Sequence, residues 1–93
     1  DSDFQPRHKL DSASLIELFG WTESQFNDRL AGNPIRRIGH ERWLRNIAVG
    51  LGNGTATPEA FAALKTRMND DSPLIREHIE WALRQLESRQ PGR

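Results

Sequence analysis

An all-α fold of about five helices is what this 93-residue sequence predicts. Three observations carry the prediction. Apolar residues recur at three- and four-residue spacing, most clearly at Ile75, Ile79, Ala82, Leu83 and Leu86, which keeps one side of a helix apolar. Cap-plus-proline pairs recur at Asn33-Pro34, Thr57-Pro58 and Ser72-Pro73. Each sets a side-chain acceptor before a residue that has no N–H to satisfy. No run shows the sustained apolar–polar alternation of a half-buried strand.

Taken in order, residues 1–11 have no period, and Pro6 among polar neighbours predicts an extended leading segment. Asp11 or Ser12 caps a first helix with Leu15, Ile16, Leu18 and Phe19 on its apolar face, and Gly20 ends it. Thr22 followed by Gln25 is a capping-box pattern for a short second helix through Phe26 and Leu30, stopping near Gly32. From Pro34 a third helix is expected to run to about Leu51. Its Ile35 and Ile38 point one way, while Leu44, Ile47, Ala48 and Leu51 define another arc. Such a helix is either sandwiched between neighbours or bent at Gly39. Gly50, Gly52, Asn53 and Gly54 end it.

Thr57-Pro58-Glu59 opens a fourth helix carrying Phe61, Leu64 and Met68. Asn69-Asp70-Asp71 is a turn, and Ser72-Pro73 opens the fifth helix, which bears the apolar stripe already named. Residues 90–93 are expected to form a frayed, disordered tail, leaving 12–89 as the helical domain. A faint repeat runs through it. Leu44-Arg45 aligns with Ile75-Arg76, Ile47-Ala48 with Ile79, and Gly50-Leu51 with Ala82-Leu83. One helix, over residues 58–68, lies between the two stretches. The spacing is that of the inner helix of a HEAT-like repeat occurring twice, a small α-solenoid whose first two helices cap the open end.

Composition narrows the function classes. With 35% hydrophobic and 28% charged residues the chain is an ordinary globular domain. No apolar stretch is long enough to span a membrane, and no signal-peptide pattern is visible. Beginning at Asp1 rather than Met, the chain is expected to be cut from something longer. It has no cysteine, so disulfides and thiolate-held clusters within it are excluded, and a cytoplasmic setting is expected. His8, His40 and His78 lack metal-ligand spacing, so no metal site is expected. Nor does the chain show a nucleophile elbow, phosphate loop or flavin fingerprint. Gly50-Leu51-Gly52-Asn53-Gly54 follows a helix and lacks lysine, and it reads as a helix stop.

The net charge of zero hides an uneven distribution. Residues 29–45 hold Arg29, Arg36, Arg37, Arg42 and Arg45 against Glu41 alone. Guanidinium forks suit phosphate oxygens, so Arg36, Arg37, Arg42, Arg45 and His40 are the candidate contacts to a nucleic-acid backbone. The competing reading is a solvated face with i,i+4 ladders, Arg37–Glu41–Arg45 and Glu80–Arg84. That reading leaves Arg36, His40 and Arg42 unexplained. Trp21, Trp43 and Trp81 are expected in the core, with Trp81 at its margin, because a small fold needs their buried area. The alternative is stacking on unpaired bases. His78 is expected to be a structural residue on the helix surface.

Several words of this sequence, in order, resemble the C-terminal region of epoxyqueuosine reductase. They are Phe4-Gln5-Pro6-Arg7-His8, Leu18-Phe19-Gly20-Trp21, the run Ile35 to Asn46, Val49-Gly50-Leu51-Gly52-Asn53, and Arg76-Glu77-His78-Ile79-Glu80-Trp81-Ala82-Leu83. His40 stands where that family commonly shows tyrosine. The resemblance implies a parent oxidoreductase that reduces epoxyqueuosine to queuosine in tRNA. It implies cobalamin and two four-iron clusters in the parent and a HEAT-like accessory region here, with no cofactor and no catalytic residue of its own. The implied partners are the anticodon arm of tRNA and a ferredoxin-like domain of the same protein, with no membrane and no self-association. Two roles then stand open. The chain binds RNA through its arginines, or it is a scaffold packed on the ferredoxin-like domain.

Overall fold

A computed structural model describes residues 12–89. The expected extended segment at 1–11 and the tail at 90–93 lie outside the described residues. Five α-helices follow one another: α1 (Ser12–Phe19), α2 (Glu23–Arg29), α3 (Gly39–Gly52), α4 (Pro58–Lys65) and α5 (Pro73–Arg89). A 3₁₀ turn, Pro34–Ile38, leads into α3. No strand occurs among the described residues.

The helix starts obey local chemistry. The Thr22 hydroxyl accepts from the Gln25 N–H at 3.1 Å, and the Gln25 side chain accepts from the Thr22 N–H at 3.0 Å, a complete capping box. Thr57 accepts from the Ala60 N–H at 3.1 Å and Ser72 from the Ile75 N–H at 3.2 Å. Pro58 and Pro73 follow these caps as first helical residues, where their missing N–H costs nothing.

One open reading is decided and one expectation is corrected. The third helix does not run unbroken from Pro34. Asn33 caps a 3₁₀ turn instead, and Gly39, at φ 87° and ψ 156°, redirects the chain into α3. That backbone conformation is open essentially to glycine alone, so the bend at Gly39 is built into the sequence. The fourth helix stops at Lys65, so Met68 leaves the apolar stripe and stands 44% exposed. The Thr66 hydroxyl donates back to the Ala63 carbonyl at 2.6 Å, and the next residue, Arg67, turns towards α1.

The core lies where α3 and α5 pack along each other. Leu44, Ile47, Leu51, Ile75, Ile79, Ala82 and Leu86 are buried there, and Leu83 is half-buried at its edge. Of the residues paired by the sequence repeat, Leu44, Ile47, Ala48, Leu51, Ile75, Ile79 and Ala82 are buried, while Arg45, Gly50, Arg76 and Leu83 are half-buried. The helices meet closely at Gly52. A Cβ at that position would lie 2.7 Å from Trp81 Cζ3 and 2.9 Å from Ala82 Cα, inside van der Waals contact. α4 lies against α5 and α1 through buried Ala60 and Leu64.

Of the three tryptophans, only Trp43 is fully in the core. Its ring stacks on Trp21 at 5.5 Å between centroids and meets Phe26 at 5.1 Å, tilted by 59°. The Arg29 guanidinium lies over the Trp21 ring at 5.1 Å. This cluster fastens α2 to the start of α3 and so fixes the connection that carries Arg36 and Arg37.

Candidate nucleic-acid interface

The arginine-bearing run begins at Asn33, whose side chain accepts from the Ile35 N–H at 2.8 Å. Pro34 presets the next backbone angle. The tight turn that follows puts Arg36 and Arg37 in succession on its outside, both exposed. With Asn27, Gly32, Asn33 and Pro34 they line an open cleft of about 560 Å³. Among the described residues, its only charged lining residues are the two arginines. On its other side Arg36 borders a second cleft, of about 580 Å³, that includes Glu23 and Asp28. Beyond the bend, Arg42 is exposed on α3, and Arg45, one helical turn further, is half-buried.

The structure separates the five candidates. Among the described residues, the guanidinium groups of Arg36, Arg37 and Arg42 make no hydrogen bond or ion pair. Arg45 donates through Nε to Asn46 Oδ1 at 2.9 Å. His40 is half-buried, its ring 5.6 Å from Phe26, and its Nε2–H donates to the Trp21 carbonyl at 2.8 Å. Its imidazole therefore braces the junction of α2 and α3 from inside.

The ladder of the competing reading does not form among the described residues. Arg37 and Glu41 fall on opposite sides of the bend at Gly39, so they are not i,i+4 neighbours on one helix. Glu41 instead accepts from the Ser72 hydroxyl. Glu80 and Arg84 make no ion pair among the described residues either.

Sequence reasoning missed a second set of arginines that hold the fold. Arg67 donates through Nε to the Phe19 carbonyl at 2.8 Å and through Nη2 to the Trp21 carbonyl at 3.0 Å. It lies 5.5 Å over the Phe19 ring and 3.8 Å from Asp70. With Trp43, whose Nε1–H reaches the Leu18 carbonyl at 3.4 Å, it closes the open C-terminal end of α1. Arg89 does the same for α3, donating to the carbonyls of Gly52 and Gly54. Arg76 holds the Asp70 carbonyl at 2.5 Å. The one available signal was Gly20, which ends α1 and leaves carbonyls in need of donors. The donor comes from 48 residues away, beyond any local pattern.

Among the described residues no three His, Asp or Glu side chains gather as metal ligands, and no helix is long and apolar enough to cross a membrane.

Over 82 residues the chain is 60% identical to the epoxyqueuosine reductase of Pseudomonas aeruginosa, a match spanning 88% of this chain and 23% of that protein. This chain is homologous to part of epoxyqueuosine reductase. The enzyme of the same name from Xanthomonas campestris is 56% identical over 85 residues, 91% of this chain and 24% of that protein. The one from Escherichia coli is 49% identical over 85 residues, 91% and 22% respectively. The chain therefore spans about a quarter of the length of the curated relatives it matches. No family model matches it, and no solved structure does.

Proposed function

We propose that this chain is the C-terminal HEAT-like region of an epoxyqueuosine reductase, an oxidoreductase that converts epoxyqueuosine to queuosine in tRNA, and that it helps hold the tRNA. Arg36, Arg37 and Arg42 contact phosphates of the anticodon arm. The observation that carries the reading is the split among arginines. Arg67, Arg76 and Arg89 are engaged on backbone carbonyls, while Arg36, Arg37 and Arg42 stand exposed and unpaired among the described residues. An exposed guanidinium with no protein partner stabilises nothing in the fold, but it is ready for a phosphate oxygen. Arg45 and His40 contribute less, because each is already committed to a neighbour.

Cobalamin and four-iron clusters belong to other parts of the parent. A four-iron cluster is held by cysteine thiolates, and this chain has none. The reduction itself is therefore assigned no step here. In the full-length enzyme, changing Arg36 and Arg42 together to alanine weakens tRNA binding while circular dichroism and thermal stability stay at wild-type values. Unchanged affinity in the folded double variant would replace this reading with a scaffold packed on the ferredoxin-like domain.

A further inference from the structure

A third cavity, of about 340 Å³, lies between α3 and α5 and is lined by Val49, Glu77, His78, Trp81 and Arg84. Trp81 is half-buried, with one edge against Gly52. Unlike Trp21 and Trp43, which stack on each other, its ring has no aromatic or cationic partner among the described residues, and its N–H makes no hydrogen bond there. An indole anchored at one edge and unpartnered on its lining side offers a flat apolar surface. Arg84, exposed and without an ion pair among the described residues, lies one turn further along α5. The His78 Nδ1–H donates to the Leu74 carbonyl at 2.8 Å, which holds the imidazole in place on the cavity wall.

The cavity also continues the basic zone. Arg42, Arg45 and Val49 are spaced three and four apart and so share one side of α3. At about 1.5 Å per residue, Val49 lies roughly 10 Å along the helix from Arg42. A ribose–phosphate strand held at Arg42 would therefore reach the cavity within a nucleotide or two.

We infer that the Trp81 cavity is a stacking subsite for one unpaired nucleobase of the bound RNA, with Arg84 on the adjoining phosphate. This rests on the RNA-binding reading above. Stacking on an indole is tolerant of base identity, because every base has a π-face.

The test uses the full-length enzyme and two RNA probes, a stem-loop with an unpaired loop and a fully paired duplex of equal length. Trp81→Ala is expected to weaken stem-loop binding by about 5- to 150-fold, the range for removal of one base stack. Duplex binding and the salt slope stay unchanged. Trp81→Phe retains most of the affinity, since it keeps an aromatic face. Arg84→Ala makes the stem-loop salt slope shallower by about 0.7. If Trp81→Ala weakens stem-loop and duplex equally, or Trp81→Phe is as damaging as Trp81→Ala, the residue is structural and the inference is wrong. If Trp81→Ala changes nothing while Arg36→Ala with Arg42→Ala still lowers affinity, the stacking subsite is refuted and the arginine reading survives. If neither variant lowers affinity, both fall.

Discussion

Replacing Arg67 by alanine should destabilise this chain, whereas replacing Arg36 should not. The Arg67 guanidinium makes two charge-assisted hydrogen bonds, to the Phe19 carbonyl at 2.8 Å and the Trp21 carbonyl at 3.0 Å. A hydrogen bond to a charged group contributes about 1.5–3 kcal/mol. The low end applies to each, because Arg67 is part-exposed and long side chains lose rotamer freedom when fixed. The Trp21 carbonyl also keeps its bond from His40, so its loss is partial. The Asp70 contact at 3.8 Å contributes little, as exposed pairs do. The sum is about 2 kcal/mol. For a domain of this size that is roughly an 8–16 °C drop in melting temperature. Arg67→Lys should recover less than half, because one ammonium cannot replace the fork that spans both carbonyls. Arg36→Ala should change stability by no more than about 0.5 kcal/mol, as exposed substitutions do. Thermal denaturation followed by the helical circular dichroism signal reads all three. A melting temperature for Arg67→Ala indistinguishable from that of Arg36→Ala would refute the division into structural and free arginines.

Two further stability predictions concern backbone geometry. Gly39→Ala, at φ 87° and ψ 156°, should cost about 1–3 kcal/mol in the same melt, and it should disturb the presentation of Arg36 and Arg37. A stability at or above wild type would show that the bend is not needed. At Gly52 two effects compete. Alanine gains about 0.5–1 kcal/mol of helix propensity, but its Cβ would lie 2.7 Å from Trp81 and 2.9 Å from the Ala82 backbone, and overpacking costs about 1–3 kcal/mol. Overpacking wins because one obstruction is backbone and cannot rotate away. Urea denaturation should show a lowered midpoint for Gly52→Ala, and a raised midpoint would mean that α3 and α5 separate freely.

Most of the fold was legible in the sequence. The stripe from Ile75 to Leu86 is buried at four of its five positions, because a regular amphipathic helix needs only its period to be read. Caps at Thr22, Thr57 and Ser72 act through bonds that span three residues, so they too were visible. Met68 was misplaced, since periodicity continues past the point where Thr66 and Arg67 stop the helix. The bend at Gly39 was one of two open readings, and its positive φ decides between them. The candidate site was legible as a concentration of arginine but not as a division of roles. Whether an arginine is free depends on carbonyls 35 to 48 residues away, as for Arg89 and Arg67, and no local pattern encodes that.

The central claim is that Arg36, Arg37 and Arg42 bind RNA phosphates. It is tested most directly by the salt dependence of tRNA affinity in the full-length enzyme. Each neutralised phosphate releases counterions and contributes about 0.7–0.9 to the log–log slope. The folded Arg36→Ala, Arg42→Ala double variant should show both lower affinity at low salt and a slope shallower by about that amount for each arginine removed. A slope and affinity equal to wild type, with helical content intact, would contradict the account.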